Sequence, residues 1–436
     1  MKRPASLAIL LLALLAFAPS ATPARAKVEG PAPPPPTVDV VKVEGVIDPA
    51  LSAYVRGSIE SSESTGATVI LQVDARGAYG DQGIGLARFI SRASVPVVAW
   101  IGPSGARASG GALLAIEASL LLTMAPGAGI GPALPLDSGT AASRLSPAER
   151  RAQEESFATV AGAAGRDRTI LRQAVPAGPA LDSHLVAMAS PTIPDLLRKL
   201  DGRSVPVSGG SATLATLNRP GRPVDVSFHE IGPVRRVLHG VSTPAAVYVL
   251  LVLGVWGVAF ELTQPGFGVA GIAGAVALAL AGYGLSVVPV HWVGVVLILG
   301  GMALQGLDVL LRRLAWLTGL GSAAFVVGSV LAWRGTAPPV GLPPWLLIVA
   351  SVGALLFFGF GLTVAMRARE RIQSAQVGLV GLVGEVRTDL APEGGVYVKG
   401  SLWRARSMNG PIPKGRRVRV RGIDGLILRV QEEPDV

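Results

Sequence analysis

Residues Val95–Gly131 read VPVVAWIGPSGARASGGALLAIEASLLLTMAPGAGIG, and this stretch decides the fold of the segment around it. Two short apolar runs, Val95–Ile101 and Leu120–Met124, have strand character and frame a glycine- and alanine-rich segment. Two further β-branched runs lie upstream, Val38–Val43 and Thr68–Val73. Segments of helical composition, Pro49–Glu60 and Asp81–Ala93, separate these runs. Strands alternating with helices predict crossover units around a mostly parallel sheet, so residues 38–205 are expected to form an α/β domain. A polar stretch of helical composition, Ser146–Gln173, and a short helix, Asp195–Leu200, complete it.

Outward from that domain the composition changes twice. Upstream, Lys2 and Arg3 precede the apolar run Leu7–Phe17, and Ala24-Arg25-Ala26 offers small residues at the positions a signal peptidase reads. Residues 1–26 are therefore expected to be an export signal cleaved before Lys27. Residues 27–37, with the prolines of Pro31–Pro36, read as an extended linker. Downstream, 206–243 reads as a connector. Five apolar segments follow within 244–366, at 244–263, 267–289, 292–311, 314–333 and 345–366. Each is about 20 residues, the length that crosses a bilayer. Arg312, Arg313, Arg367, Arg369 and Arg371 fall on one side of this array, and His291 and Arg334 on the other. By the positive-inside rule the α/β domain is exported and the C-terminus is cytoplasmic. This makes the chain a multi-pass protein of the cell membrane. Residues 375–433 carry short strand-like runs split by Gly394-Gly395 and Asp424-Gly425, which fits a small β-barrel. In Arg417-Val418-Arg419-Val420-Arg421 the valines are expected to face one side and the arginines the other.

Composition excludes several chemistries. The chain has 436 residues, 50% hydrophobic and only 16% charged, with formal net charge +10. Mean hydropathy is +0.50. A soluble globular chain carries about 25% charged residues, so an ordinary soluble enzyme is not expected. With no cysteine there is no disulfide, thiolate metal site or cysteine nucleophile. The four histidines, His184, His229, His239 and His291, are scattered, and no metal site, phosphate loop or cofactor is expected.

Three blocks of sequence resemble the long form of the NfeD family. The first is Val95-Pro96-Val97-Val98, Pro103–Ala108, Met124-Ala125-Pro126-Gly127 and Ile130-Gly131. The second is Gln264-Pro265-Gly266-Phe267-Gly268 with the glycine-rich helix that follows. The third runs Gly381–Gly384, Thr388-Asp389-Leu390, Pro392-Glu393-Gly394, Gly400–Trp403, Ile412–Gly415 and Asp424-Gly425-Leu426, and is the most specific. The resemblance implies an exported domain of Clp/crotonase-like fold, an all-α membrane domain and a C-terminal OB-fold. It also implies Ser–Lys dyad proteolysis, in which a lysine with lowered pKa activates a serine and backbone amides hold the oxyanion.

The dyad pattern is not met here. In Gly105-Ala106-Arg107-Ala108-Ser109-Gly110-Gly111-Ala112 the family's nucleophile position falls on Gly110, and Ser109 sits one residue early. On a helix that offset is a rotation of about 100°. The family's lysine position, a few residues before Gly165-Arg166, lands on Ala158. There is no lysine between Lys42 and Lys199, and arginine cannot act as the base. The family's oxyanion turn appears as Asp74-Ala75-Arg76-Gly77-Ala78, with Gly77 and Ala78 at its centre and one glycine replaced. His184, with Asp182 nearby, reads as a surface histidine.

These residues predict a membrane-anchored protease scaffold without its dyad, acting as a binding partner of stomatin- or prohibitin-type membrane proteins, the companions that the resemblance implies. The alternative is an active serine endopeptidase with Ser109 as a displaced nucleophile. Self-association is expected from Clp-type domains. The basic residues Arg404, Arg406, Lys414, Arg416, Arg417, Arg419, Arg421 and Arg429 are accounted for by lipid attraction. With only Tyr397 and Trp403 available for base stacking, no nucleic-acid partner is expected. Glu261 and Asp308 are carboxylates in membrane helices. Asp308 is expected to pair with Arg312, and Gly268, Gly271, Gly274 and Gly282 to permit close helix approach.

Overall fold

The computed structural model describes residues 36–433, apart from 164–172, 208–209, 221–222, 263–267, 312–314, 338–339, 363 and 365–377. The expected signal and most of the linker, Gly165-Arg166, Gln264–Gly266, Arg312, Arg313 and the arginines after the last helix lie outside the described residues.

The α/β domain begins with β1 (Thr37–Ile47), α1 (Pro49–Thr65), β2 (Thr68–Ala78), α2 (Gln82–Ile90) and β3 (Val97–Ile101). Next come β4 (Arg107–Ser109), α3 (Gly111–Glu117), β5 (Leu121–Met124), β6 (Gly129–Ile130) and α4 (Pro147–Ala163). It continues through β7 (Val175–Pro176), α5 (Ala177–Asp182), β8 (Met188–Ala189) and α6 (Ile193–Leu200). The β-branched runs form the sheet because both faces of each strand can be buried. Val38, Val40, Val69, Ile70, Leu71, Val97 and Val98 all sit in one core. The path across the sheet is β7-β6-β4-β2-β3-β5-β8, with β1 beside β2, and every pairing is parallel except β6 with β7. The long β2 pairs β3 through Val69–Val73 and then β4 through Ala75 and Arg76. The chain therefore fans out at Ala75–Ala78, and that opening places the candidate site.

Two strands, β9 (Ser204–Val207) and β10 (Gly210–Thr213), form a small hairpin. Then β11 (Asp225–His229), inside the expected connector, returns to the main sheet and pairs in parallel with β1 along Thr37–Val41. The helix α7 (Pro233–Val241) follows and leads into the apolar helices. These are α8 (Pro244–Glu261), α9 (Val269–Val287), α10 (Trp292–Leu311), α11 (Ala315–Ala332) and α12 (Pro344–Leu356), the last continuing as a π-helical turn over Phe357–Leu362. Among the described residues α8, α9 and α10 are each long and apolar enough to cross a membrane, while the stretches Trp316–Ala332 and Pro344–Phe360 are apolar but shorter.

Helix pairs close on glycine. A Cβ on Gly257 would lie 2.8 Å from Ala270 O, and one on Gly301 would lie 2.5 Å from Gly321 O. Of the four expected contact glycines, Gly274 packs against α8, Gly282 faces open space, and Gly268 and Gly271 meet the Glu261 side chain. The amides of Gly268 and Gly271 donate to the Glu261 carboxylate, the second at 3.1 Å. Glu261 thus caps the N-terminus of α9, where a negative charge is stabilised. The Asp308 carboxylate accepts a 2.5 Å hydrogen bond from Thr318 Oγ1, and its expected partner Arg312 lies outside the described residues.

The C-terminal unit is a closed barrel of β12 (Val383–Val386), β13 (Glu393–Val398), β14 (Ser401–Ser407), β15 (Arg417–Asp424) and β16 (Ile427–Glu432), ordered β12-β13-β14-β16-β15. Its only parallel pair is β14 with β16, an arrangement consistent with an OB-fold. Val418 and Val420 are fully buried while Arg417 and Arg421 are exposed, as the alternation predicts. The expected class, α/β domain, helical membrane region and small β-barrel, is the one found.

Candidate functional site

The site is built at the turn between β4 and α3. Ala108 is buried, Ser109 ends the strand, and Gly110 makes the turn with φ 59° and ψ −143°. A nucleophile elbow uses a sharp, strained strand-to-helix turn of this kind to present its side chain. Here the turn residue is glycine, which occupies that backbone region without the Cβ strain. The expected helical setting of Ser109 is corrected: Ser109 pairs with Arg76 in the sheet. Neighbouring side chains on a strand point to opposite faces, so the one-residue offset turns its hydroxyl to the other face from position 110.

Gly77 and Ala78 lie against this turn. A Cβ on Gly110 would lie 3.2 Å from Gly77 Cα, and one on Gly111 would lie 2.7 Å from Ala78 Cβ. Gly77 has φ 142°. Ala158 is half-buried on α4, a helix packed against α3 and anchored in the core by Phe157 and Ala161. The two lysines that bracket the domain are occupied at its surface. Lys42 pairs with Glu44 at 2.9 Å, and Lys199 pairs with Asp195 at 2.8 Å and donates to Ala189 O at 2.6 Å. His184 is exposed in the turn after α5, at φ 58°.

Sequence reasoning missed the segment over the turn, residues 132–138. Pro132 O accepts the Gly110 amide at 2.8 Å, and Pro135 O would lie 3.0 Å from a Cβ on Gly110. Leu136 O crowds the side-chain position of Gly111, and Ser138 Oγ that of Gly77. The Leu136 amide donates to Gln153 Oε1 on α4 at 3.0 Å, and the Ser138 amide to Ala78 O at 2.9 Å. Asp137 Oδ1 accepts from Gly80 at 2.9 Å and from Gly139 at 3.0 Å.

The same turn is tied to the membrane helices. Tyr79, next after Ala78, is buried among α8–α12 residues, and its hydroxyl donates to Ser242 O at 3.1 Å. Burial, with the charge of Asp48 adding to it, holds this phenol above its ordinary pKa. Asp48 is fully buried: Oδ1 accepts from Leu51 N at 2.7 Å, capping α1, and Oδ2 meets His239 Nδ1 of α7 at 2.9 Å. The hydrogen bond to Asp48 raises the His239 pKa against the opposing effect of burial.

In the barrel, Arg404 and Arg406 both pair with Glu393, Arg416 with Glu432 and Arg419 with Glu433, so part of the basic face is neutralised internally. Among the described residues no group of three or more His, Asp or Glu side chains could hold a metal ion.

Comparison with known proteins gives the following. Residues 245–364 match the NfeD integral membrane domain, and residues 377–432 match the NfeD-like C-terminal, partner-binding domain. The chain is similar to membrane-bound protease PH1510 of Pyrococcus horikoshii, 28% identical over 384 residues covering 84% of this chain and 86% of that one. It is also similar to membrane protein NfeD1b of Bacillus subtilis, 25% identical over 419 residues covering 91% and 93%. Among solved structures it resembles the 1510-N membrane protease specific for a stomatin homolog from Pyrococcus horikoshii. That likeness is at 23% identity and TM-score 0.39, over 47% of this chain and 98% of that one. Two NfeD domain matches in the expected order, with likeness to PH1510 and NfeD1b along most of the chain, make this integral membrane protein similar throughout to the long form of the NfeD family.

Proposed function

We propose that this protein is a catalytically degenerate protease scaffold that binds the tails of stomatin-type membrane proteins. One observation carries the reading. At the strand-to-helix turn where a nucleophile would stand, Gly110 offers no side chain, and Pro135 O lies 3.0 Å from where its Cβ would be. The lysines support it, since both that flank the domain are ion-paired on its outside. The similarity to a protease specific for a stomatin homolog suggests the class of partner. We place the α/β domain on the exported side and the barrel in the cytoplasm, in keeping with the charge of the short loops. The barrel then lies beside an anionic leaflet, where its unpaired arginines favour lipid contact. Self-association through the α/β domain belongs to the same reading.

Fluorophosphonate labelling of the full chain in nanodiscs tests the proposal, with wild type and Ser109→Ala side by side and an active serine hydrolase as control. No label on either form is expected. Label on wild type that disappears in Ser109→Ala would overturn the reading and make the protein a peptidase with a displaced nucleophile.

A further inference from the structure

Residues 132–138 do more than fill space at the Gly110 turn. They are held from both sides, and one side is the membrane domain. On the site side, the Gly110, Leu136 and Ser138 amides are all engaged by or within this strap, with Pro132 O, Gln153 Oε1 and Ala78 O as acceptors. On the other side, Ser138 O accepts from the Ala337 amide at 3.1 Å, and the Ala141 amide donates to Gly335 O at 2.8 Å. Ala337 and Gly335 lie in the loop after α11. The Arg144 guanidinium packs against Gly335, and a Cβ on Gly139 would lie 3.2 Å from Pro289 Cβ, in the loop between α9 and α10. Those two membrane loops are themselves joined: His291 Nε2 meets Arg334 O at 2.8 Å.

We propose that residues 132–138 are a built-in occupant of the groove at the Gly110 turn, latched by the 333–337 loop, so that the arrangement of the membrane helices sets access to the groove. The strap has the properties of a displaceable occupant. It touches the turn mainly through backbone carbonyls and amides, which another extended peptide can replace. Pro132 and Pro135 bring no N–H of their own to satisfy. Glycine at 110 is what lets the strap close, because any Cβ there would meet Pro135 O. A shift of α11 against α12 would move the latch before it moved the core of the α/β domain. The inference rests on reading Gly110 as the former nucleophile position. Amide exchange reports the strap and fluorophosphonate labelling reports the nucleophile, so the two fail separately.

Hydrogen exchange of the full chain in nanodiscs provides the test, read at the Gly110, Leu136 and Ser138 amides with β3 as internal reference. Arg144→Ala and Ala337→Pro weaken the latch side, and Asp137→Ala weakens the site side. All three are expected to speed exchange at the strap amides by about tenfold or more while β3 stays protected, the signature of local opening. Should Ala337→Pro fail to fold, Arg144→Ala carries the latch arm alone. The proposal is overturned if the latch variants leave strap exchange unchanged while Asp137→Ala raises it. It is equally overturned if the strap amides of wild type exchange at the rate of free peptide, or if they open only together with β3.

Discussion

Replacing Asp48 separates two jobs that one buried carboxylate performs. Oδ1 caps α1 at 2.7 Å from Leu51 N, and Oδ2 holds His239 of α7 at 2.9 Å. Asparagine caps a helix about as well as aspartate, whereas alanine loses about 1 kcal/mol there. A hydrogen bond involving a charged group contributes about 1.5–3 kcal/mol net, against about 0.5–1.5 for a neutral one. Asp48→Asn should therefore cost about 1 kcal/mol, and Asp48→Ala about 3 kcal/mol, in the local stability of the α1–α7 contact. The Asn cost depends on pH with a definite sign. The folded state raises the His239 pKa, so its contribution is complete below the unfolded value of about 6.5 and is lost as pH rises through the raised folded value. The gap between wild type and Asp48→Asn is then widest on the acid side and closes toward alkaline pH. The gap between Asn and Ala, being the cap, stays level. Exchange of the Leu51 amide from about pH 5.5 to about pH 9, corrected for intrinsic rates, reads both gaps. Equal effects of Asn and Ala, or a wild type–Asn gap that does not change with pH, would refute the reasoning.

Two further outcomes are expected. Glu261→Ala removes the carboxylate that caps α9 and should lower stability in nanodiscs by about 1–2 kcal/mol, with Glu261→Gln in between because one acceptor remains; thermal unfolding followed by tryptophan fluorescence checks the order. Tyr248→Phe breaks the 2.9 Å contact with Ser329 Oγ between α8 and α11 and should cost only about 0.6 kcal/mol, the usual scale for such bonds inside a membrane bundle; a loss well above that, measured by the same unfolding assay, would mean the hydroxyl has a larger role.

What the sequence disclosed follows from how local each signal is. Val38–Val43, Thr68–Val73 and Val95–Ile101 announce themselves as strands, because a strand buried on both faces needs an unbroken apolar run. The alternation Arg417–Arg421 foretold which side of β15 faces the barrel core. Asp225–His229 gave no such sign. Its value as a strand comes from pairing with β1, at the far end of the domain's sequence, and Phe228 remains 65% exposed. At the site, Gly77, Ala78 and Gly110 were each singled out in the sequence. The strap was not, since backbone carbonyls from Pro132, Pro135 and Leu136 carry no side-chain signature. Glu261 was legible as an unusual carboxylate in an apolar segment. Its use as a cap became visible only where the chain turned back to offer the Gly268 and Gly271 amides.

The return of β11 to β1 also has a mechanical meaning. The polypeptide leaves the α/β domain for the membrane through this strand, which lies parallel to β1 along five paired residues, Thr37 with Asp225 through Val41 with His229. A tug along the strand axis, from a helix that tilts or a bilayer that thickens, loads those five pairs together in shear and does not peel them apart one by one. The join therefore resists as a unit. Strain arriving from the lipid side is passed into the sheet, where β1 adjoins β2 and β2 runs on to Gly77, and is not spent in a slack tether.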